Sequence, residues 1–247
     1  MPIIFVPYHQ DERLPAGSIP LPGIDRTVTA KLTGLDVWQR LSGLHGEVAD
    51  VVAEEIRGGA APAVVSGDCL VSLGVVAGVQ RAGIDPSVIW FDAHGDLHTL
   101  ESSASGYLGG LSLRLLLGAH HDRIAAKLGL RPLGERQAIL VDARDLEPAE
   151  ADYLAAAEVR HCGVDDVEVP AGPIVLHVDV DVIDCAELPG LGFPAPDGPS
   201  SAAVIASVKR ILAEGDVVAV HIACPWNPVQ GRDHENRARL LKQLLGA

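Results

Sequence analysis

Short runs of apolar and β-branched residues alternate along this chain with longer stretches whose apolar positions recur at helical spacing. The runs Ile3–Val6, Ala63–Val65, Val88–Phe91, Ala138–Val141, Val159–Cys162, Ile174–Val178 and Val217–Ile222 predict strands. Thr27–Leu32 alternates apolar with polar and predicts an edge strand. Helices are predicted over Val37–Ile56, Val71–Arg81, Leu111–Leu117, Ala149–Ala157, Ser201–Glu214 and Glu235–Leu245, with Ser200 or Ser201 as the cap of the one before Glu214. Strands separated by helices imply a layered α/β fold on a parallel sheet. No internal repeat, linker or low-complexity tract interrupts the pattern, so residues 1–247 are expected to form one domain.

The polar clusters fall where the apolar runs stop: Ser66 to Cys69, Asp92 to His98, Asp142 to Asp145, Asp179 to Asp184, and Cys224 to Pro228. In open α/β sheets ligands bind outside the carboxyl ends of the strands, so five strand ends are expected to line one crevice. The stretch Val88 to Thr99, VIWFDAHGDLHT, carries the densest cluster. If the extended alternation continues, Asp92, His94, Asp96 and His98 share one side. Carboxylate with imidazole suits a borderline divalent cation such as Mn, Zn or Fe(II). Asp179 and Asp181, two residues apart at another strand end, bring the donor set to five with Asp92, His94 and Asp96. Such a set bridges two cations or holds one with water to spare. Burying it without a cation would be costly, so either a metal sits there or the site is open to water.

Composition narrows the classes. With 48% apolar residues and only 4% aromatics, the core must be built mostly from Val, Leu, Ile and Ala. A net charge of −14 without a Lys/Arg cluster argues against nucleic acid as a partner. No apolar run is long enough to cross a bilayer. The start, MPIIFVPYHQDERLP, lacks a basic segment ahead of an apolar one and is expected to be a first strand rather than a signal peptide. Cys69, Cys162, Cys185 and Cys224 form no CxxC pair and are expected to be reduced thiols in a cytoplasmic protein, with Cys162 and Cys185 purely structural.

The two acidic motifs resemble those of the ureohydrolases (arginase, agmatinase, formiminoglutamase and relatives) over about Ala63 to Pro228. Asp92-Ala93-His94-Gly95-Asp96 is similar to that family's Asp-Ala-His-x-Asp, and Asp179 to Asp184 to its Asp-x-Asp-x-x-Asp, with Pro189, Gly192 and Pro194 following in its spacing. Ser66-Gly67-Asp68-Cys69 falls where the family has Gly-Gly-Asp-His. The resemblance implies a three-layer α/β/α fold with a mostly parallel sheet of about eight strands, assembled as a homo-oligomer, trimer or hexamer. It also implies two Mn(II) ions whose shared hydroxide attacks a guanidinium or amidine carbon of a small-molecule substrate. Asp92 and Asp179 would bridge the ions, His94 and Asp181 would complete one site, and Asp96 with the residue at Cys69 the other.

Three positions depart from that pattern. Cys69 replaces a histidine; a thiolate ligand would favour Zn, Co or Fe over Mn, and a small buried thiol with no ligand role is equally compatible. Gly109, in Ser105-Gly106-Tyr107-Leu108-Gly109-Gly110, replaces the proton-shuttling histidine of arginases, a role His98 could take over. Pro225 replaces the glutamate that pairs with the guanidinium, an interaction of ~1.5–3 kcal/mol. Glu147 falls where arginases contact the amino-acid end of the substrate. Two readings follow. The first is a divergent hydrolase cleaving a C–N bond of a guanidino, amidine or amide compound, with one or two divalent cations and Asp96 and His98 in proton transfer. The second is a non-catalytic member that binds or regulates a partner.

Overall fold

The computed structural model describes residues 1–21 and 23–246. In chain order the elements are β1 (Ile3–Val6), the hairpin β2 (Tyr8–His9) and β3 (Glu12–Arg13), β4 (Arg26–Thr27), α1 (Val37–Arg57), β5 (Ala63–Ser66), α2 (Ser72–Arg81) and β6 (Ser87–Asp92). The short helices α3 (Ser112–Leu116) and α4 (Ala125–Leu128) come next, then β7 (Ala138–Asp142), α5 (Pro148–Ala156), β8 (Arg160–Cys162), β9 (Pro173–Asp179), α6 (Ser201–Glu214), β10 (Asp216–Ala223) and α7 (Arg232–Leu244). Eight strands form one sheet in the order β4-β1-β5-β10-β9-β6-β7-β8, and every pairing in it is parallel.

Period-two alternation divides each central strand between two cores. Val88 and Trp90 of β6 face the layer made by α1 to α5, and Ile89 and Phe91 face α6 and α7. On β9, Val175 joins the first core, while Ile174, Leu176 and Val178 join the second. Helices therefore cover both faces, giving the three-layer α/β/α fold that the motifs imply. No helix among the described residues is long and apolar enough to cross a membrane.

Two expectations need correction. Of the expected edge strand Thr27–Leu32 only Thr27 pairs with the sheet, against Phe5; the strand begins one residue earlier, with Arg26 against Ile4. β1 ends at Val6, so one further bond, Val28 N–H to the Phe5 carbonyl at 2.8 Å, is the last its length offers. The final helix begins at Arg232 rather than Glu235, with Asp233 and Glu235 set against the positive end of its dipole. Ser200 is the cap of α6; its Oγ accepts the Ala203 N–H at 3.2 Å.

α1 and α2 pack unusually close because α2 presents glycine at positions four apart. A β-carbon at Gly74 would lie 2.8 Å from the His45 carbonyl, and one at Gly78 2.7 Å from both the Ala49 carbonyl and Val52 Cβ. Gly78→Ala should therefore destabilise the chain by about 1–2 kcal/mol, the strain of overpacking (about 1–3 kcal/mol) outweighing the helix-propensity gain of up to about 1 kcal/mol. Urea denaturation checks this.

Candidate metal centre

The carboxyl ends of five adjacent strands, β5, β10, β9, β6 and β7, open onto one cavity of about 420 Å³. Its lining includes Cys69, Asp92, His94, Asp96, His98, Asp179 and Asp181, so every candidate site residue of the sequence faces the same space. Pro225, Asp145, Glu147, Glu150, Tyr107 and Phe193 complete the walls.

A repeated local device aims the acids. Asp92 Oδ1 accepts the backbone N–H of His94, Asp179 Oδ1 that of Asp181, and Asp68 Oδ1 that of Leu70, each at 2.8 Å. An aspartate that binds the N–H two residues on closes an Asx turn, which halts the strand and fixes the carboxylate above the sheet edge. The simple alternation expected past Asp92 does not hold, because β6 ends there and Asp96 adopts a left-handed φ of 51°. Loop geometry, not pleating, brings His94, Asp96 and His98 together. At the end of β7, Asp142 and Ala143 are both left-handed as well, with φ of 75° and 47°. That conformation costs about 1–3 kcal/mol per residue. It is held by bonds from the Ala143 and Asp145 N–H groups to the carbonyls of Asp92 and Ala93.

The remaining oxygens converge. His94 Nδ1 is 3.3 Å from Asp92 Oδ1 and 3.2 Å from Asp181 Oδ2, and ligand atoms of Asp92, His94 and Asp181 all lie within 4.8 Å of one another. Cys69 is not sequestered among apolar groups alone: its Sγ donates to Asp179 Oδ2 at 2.9 Å and lies 3.8 Å from Asp92 Oδ2. A second such group joins Cys69 and Asp92 to His177. Asp96 Oδ2 is buried with no hydrogen-bond partner. Convergent carboxylate, imidazole and thiol donors, and an orphaned carboxylate oxygen, are what a divalent cation would satisfy. The donor set fits one.

The charges register the same strain. Burial first, and then Asp181, push the Asp92 carboxyl up to about 6. Burial and neighbouring acids likewise raise Asp96 and Asp179 well above the ordinary carboxylate range. Burial opposes charge on the His94 ring, but hydrogen bonds from it to Asp181 and Asp92 outweigh this and lift it to about 12. Burial, then Asp179, Asp96 and Asp92, keep the Cys69 thiol protonated.

His98 is buried in the cavity wall. Its Nδ1 meets Ser102 Oγ at 3.1 Å, and its Nε2 lies 3.4 Å from Glu147 and 3.7 Å from Glu150. Glu147, at the start of α5, is half-exposed at the mouth rather than remote from it. Glu150 went unnoticed in the sequence, yet it is buried and clamps the loop, accepting from the N–H groups of Leu97 and Glu147 at 3.0 Å each. A β-carbon at Gly95 would strike its Oε1 at 2.8 Å. Gly109 lies under Tyr107, whose ring would come within 2.3 Å of a β-carbon there, so no histidine fits beneath that tyrosine. His177 also went unnoticed, although a lone histidine two residues before Asp179 in an apolar strand was the available signal.

Fold and site together define a parallel α/β protein with a buried carboxylate–imidazole cluster at its strand ends, of a composition that could hold a divalent cation. The Arginase family model matches residues 17–246. Similar sequences include the arginase of Brevibacillus brevis, 29% identical over 81% of this chain and 72% of its own. The N(omega)-hydroxy-L-arginine amidinohydrolase of Streptomyces lavendulae is 32% identical over 68% of this chain and 62% of its own. Among solved structures, Entamoeba histolytica arginase in complex with L-ornithine superposes with a TM-score of 0.82 at 20% identity, covering 99% of this chain and 98% of that one. The Bacillus subtilis formimidoylglutamase does so with a TM-score of 0.72 at 17% identity, covering 99% and 85%. The chain belongs to the Arginase family.

A carboxyl raised in the folded state is still protonated there while it ionises in the unfolded chain, so stability falls as pH rises from 3.8 towards about 6. With a chelator present, Asp92→Asn should therefore have a higher urea midpoint than the wild type at neutral pH. The advantage should vanish below pH 3.8, where both states are protonated.

Proposed function

We propose that the chain hydrolyses a C–N bond of a guanidino, amidine or amide compound, using a divalent cation held by Asp92, His94, Asp179 and Asp181. The observation that carries this is the convergence of Asp92, His94 and Asp181 on the floor of a cavity of about 420 Å³, in a chain of the Arginase family. When bound, the cation supplies Lewis acidity, generating a nucleophile from water at neutral pH. Manganese is the expectation from the family; Zn or Fe gains ground if Cys69 is a ligand.

The protein's own groups then divide the work. Asp96, with an unpartnered oxygen at the cavity floor, takes up the proton released by the nucleophile and returns it to the leaving nitrogen. His98, steadied by Ser102 and Glu150, carries protons between that floor and the mouth. Pro225 offers no charge to a guanidinium, whereas Asp145, Glu147 and Glu150 make one wall acidic. A cationic substrate group is accordingly held on the α5 side, with Phe193 and Tyr107 against its apolar part. The relative named as an N(omega)-hydroxy-L-arginine amidinohydrolase supports a guanidino substrate. A homo-oligomeric, cytoplasmic enzyme of one domain completes the reading; no observation favours the non-catalytic alternative.

Elemental analysis after loading with Mn(II), Zn(II) or Fe(II), with a screen of guanidino and amidine compounds for amine release, tests it. Asp179→Asn should lose bound metal and at least about 100-fold in rate, since even the outer partners of metal ligands are worth about 10–100-fold. Undiminished metal content in that variant would overturn the assignment.

A further inference from the structure

A line of buried polar groups runs behind the carboxylates on the α1–α5 face of the sheet. Ser66 on β5, His221 on β10 and His177 on β9 are each fully buried. His177 is the register partner of both His221 and Trp90, and its ring stacks on the Trp90 indole with centroids 3.6 Å apart.

The hydrogen bonds assign every proton in this line. Ser66 Oγ donates to the Asp68 carbonyl at 2.8 Å, so its hydroxyl proton is committed. Its 2.8 Å bond with His221 Nε2 must then be donated by the imidazole. A neutral His221 protonated on Nε2 has a bare Nδ1, which accepts at 2.8 Å from His177 Nδ1. His177 consequently carries its proton on Nδ1 and presents a bare lone pair at Nε2. That nitrogen is enclosed and has no hydrogen-bond partner.

His177 lies in one group with Cys69 and Asp92, their ligand atoms all within 4.8 Å of one another. The thiol cannot satisfy the nitrogen, because its single proton goes to Asp179 Oδ2, 2.9 Å away. Asp92 Oδ2 already accepts the Trp90 indole N–H at 3.2 Å, so of the three groups it is the His177 nitrogen that is left unmet, and an unmet buried acceptor is costly. Asp92 stands between the two groups, its Oδ1 towards His94 and its Oδ2 towards Cys69.

We infer that His177 is a metal ligand: through Nε2 it joins Cys69 Sγ and Asp92 Oδ2 in a second cation position, beside the one formed by Asp92, His94 and Asp181. The imidazole donates its other N–H to a fixed partner, as metal-bound histidines do. Binding releases the Cys69 proton, and the resulting thiolate, imidazole and carboxylate favour zinc, cobalt or iron(II) over manganese. This inference goes beyond the proposed function but rests on its premise that cations occupy the cavity.

Zinc-edge X-ray absorption of the zinc-loaded wild-type protein tests it without altering a residue. Expected, averaged over two zinc ions, are half a sulfur at about 2.3 Å and one imidazole nitrogen at about 2.0–2.1 Å per ion, the signature of one thiolate and two imidazoles per pair. His177→Gln, its fold checked by circular dichroism, should drop from two zinc ions per chain to one. It should also lose the thiolate-to-metal charge-transfer absorption of the cobalt-loaded protein, which His94→Gln should retain. Bound zinc with no sulfur and only one imidazole per chain would overturn the role of His177 while leaving the hydrolase reading intact. No zinc, manganese or iron bound by the wild type under any condition would overturn both.

Discussion

The repulsion among four carboxylates buried at the ends of two neighbouring strands is the constraint on which this structure turns. Asp92, Asp96, Asp179 and Asp181 are all nearly inaccessible to water. Backbone N–H groups and the Trp90 indole neutralise part of the charge. Such dipoles do not offset the cost of burying this many like charges so close together. The raised values of Asp92, Asp96 and Asp179 express that deficit, and a divalent cation removes it. In the ion-free chain the site is therefore a source of instability, and metal binding and folding stability are linked by the same groups.

The surrounding loops are pinned so that this unfavourable arrangement cannot relax outward. Arg144, just past the end of β7, donates to the carbonyls of Pro196, Ala195 and Val182 at 2.9, 2.9 and 3.0 Å, tying the segment after Asp181 to the end of the next strand but one. Arg237 of α7, almost fully buried, donates to the carbonyls of Asn227 and Pro189 at 2.7 Å each and lies over the Trp226 ring. A planar guanidinium with several donors suits this work, since one side chain fixes carbonyls from different loops. Glycine permits the close approach: a β-carbon at Gly198 would strike the Arg144 guanidinium, and one at Gly190 that of Arg237.

What could be read from the sequence was whatever local chemistry determines. The apolar runs fixed the strands to within a residue or two, and each Asp-x-x pair carries its own Asx turn, so the motif acids had to converge above the sheet edge. The edge strand failed because its length is set by β1, a partner distant in sequence. Glu150 and His177 escaped notice for a related reason. Glu150 reads as one more acid on an amphipathic helix until the loop at Gly95 is folded against it. The lone pair of His177 is defined only by Ser66 and His221 on two other strands. Proton positions within a buried network are a tertiary property, and no window of the chain contains them.

The departures from the family pattern are best understood as coupled rather than as separate losses. Erosion of a binding site would relax the carboxylates towards solvent, because nothing would then hold like charges together; here they remain buried and aimed at common points. Gly109 leaves room for the Tyr107 ring, which would come within 2.3 Å of a β-carbon there. Pro225 adds no charge to the lining, while Glu147 and Glu150 gather around His98 and Asp145 lies 3.9 Å from His94. Cys69 replaces an imidazole at the end of β5, and His177 on β9 brings another to the same space. Neighbouring parallel strands in register make such an exchange geometrically small: a ligand given up at one strand end can be supplied from the next strand but one, with the sheet unchanged. A thiolate with an imidazole at the second position would shift the preferred cation without disturbing Asp92, the carboxylate that both positions share.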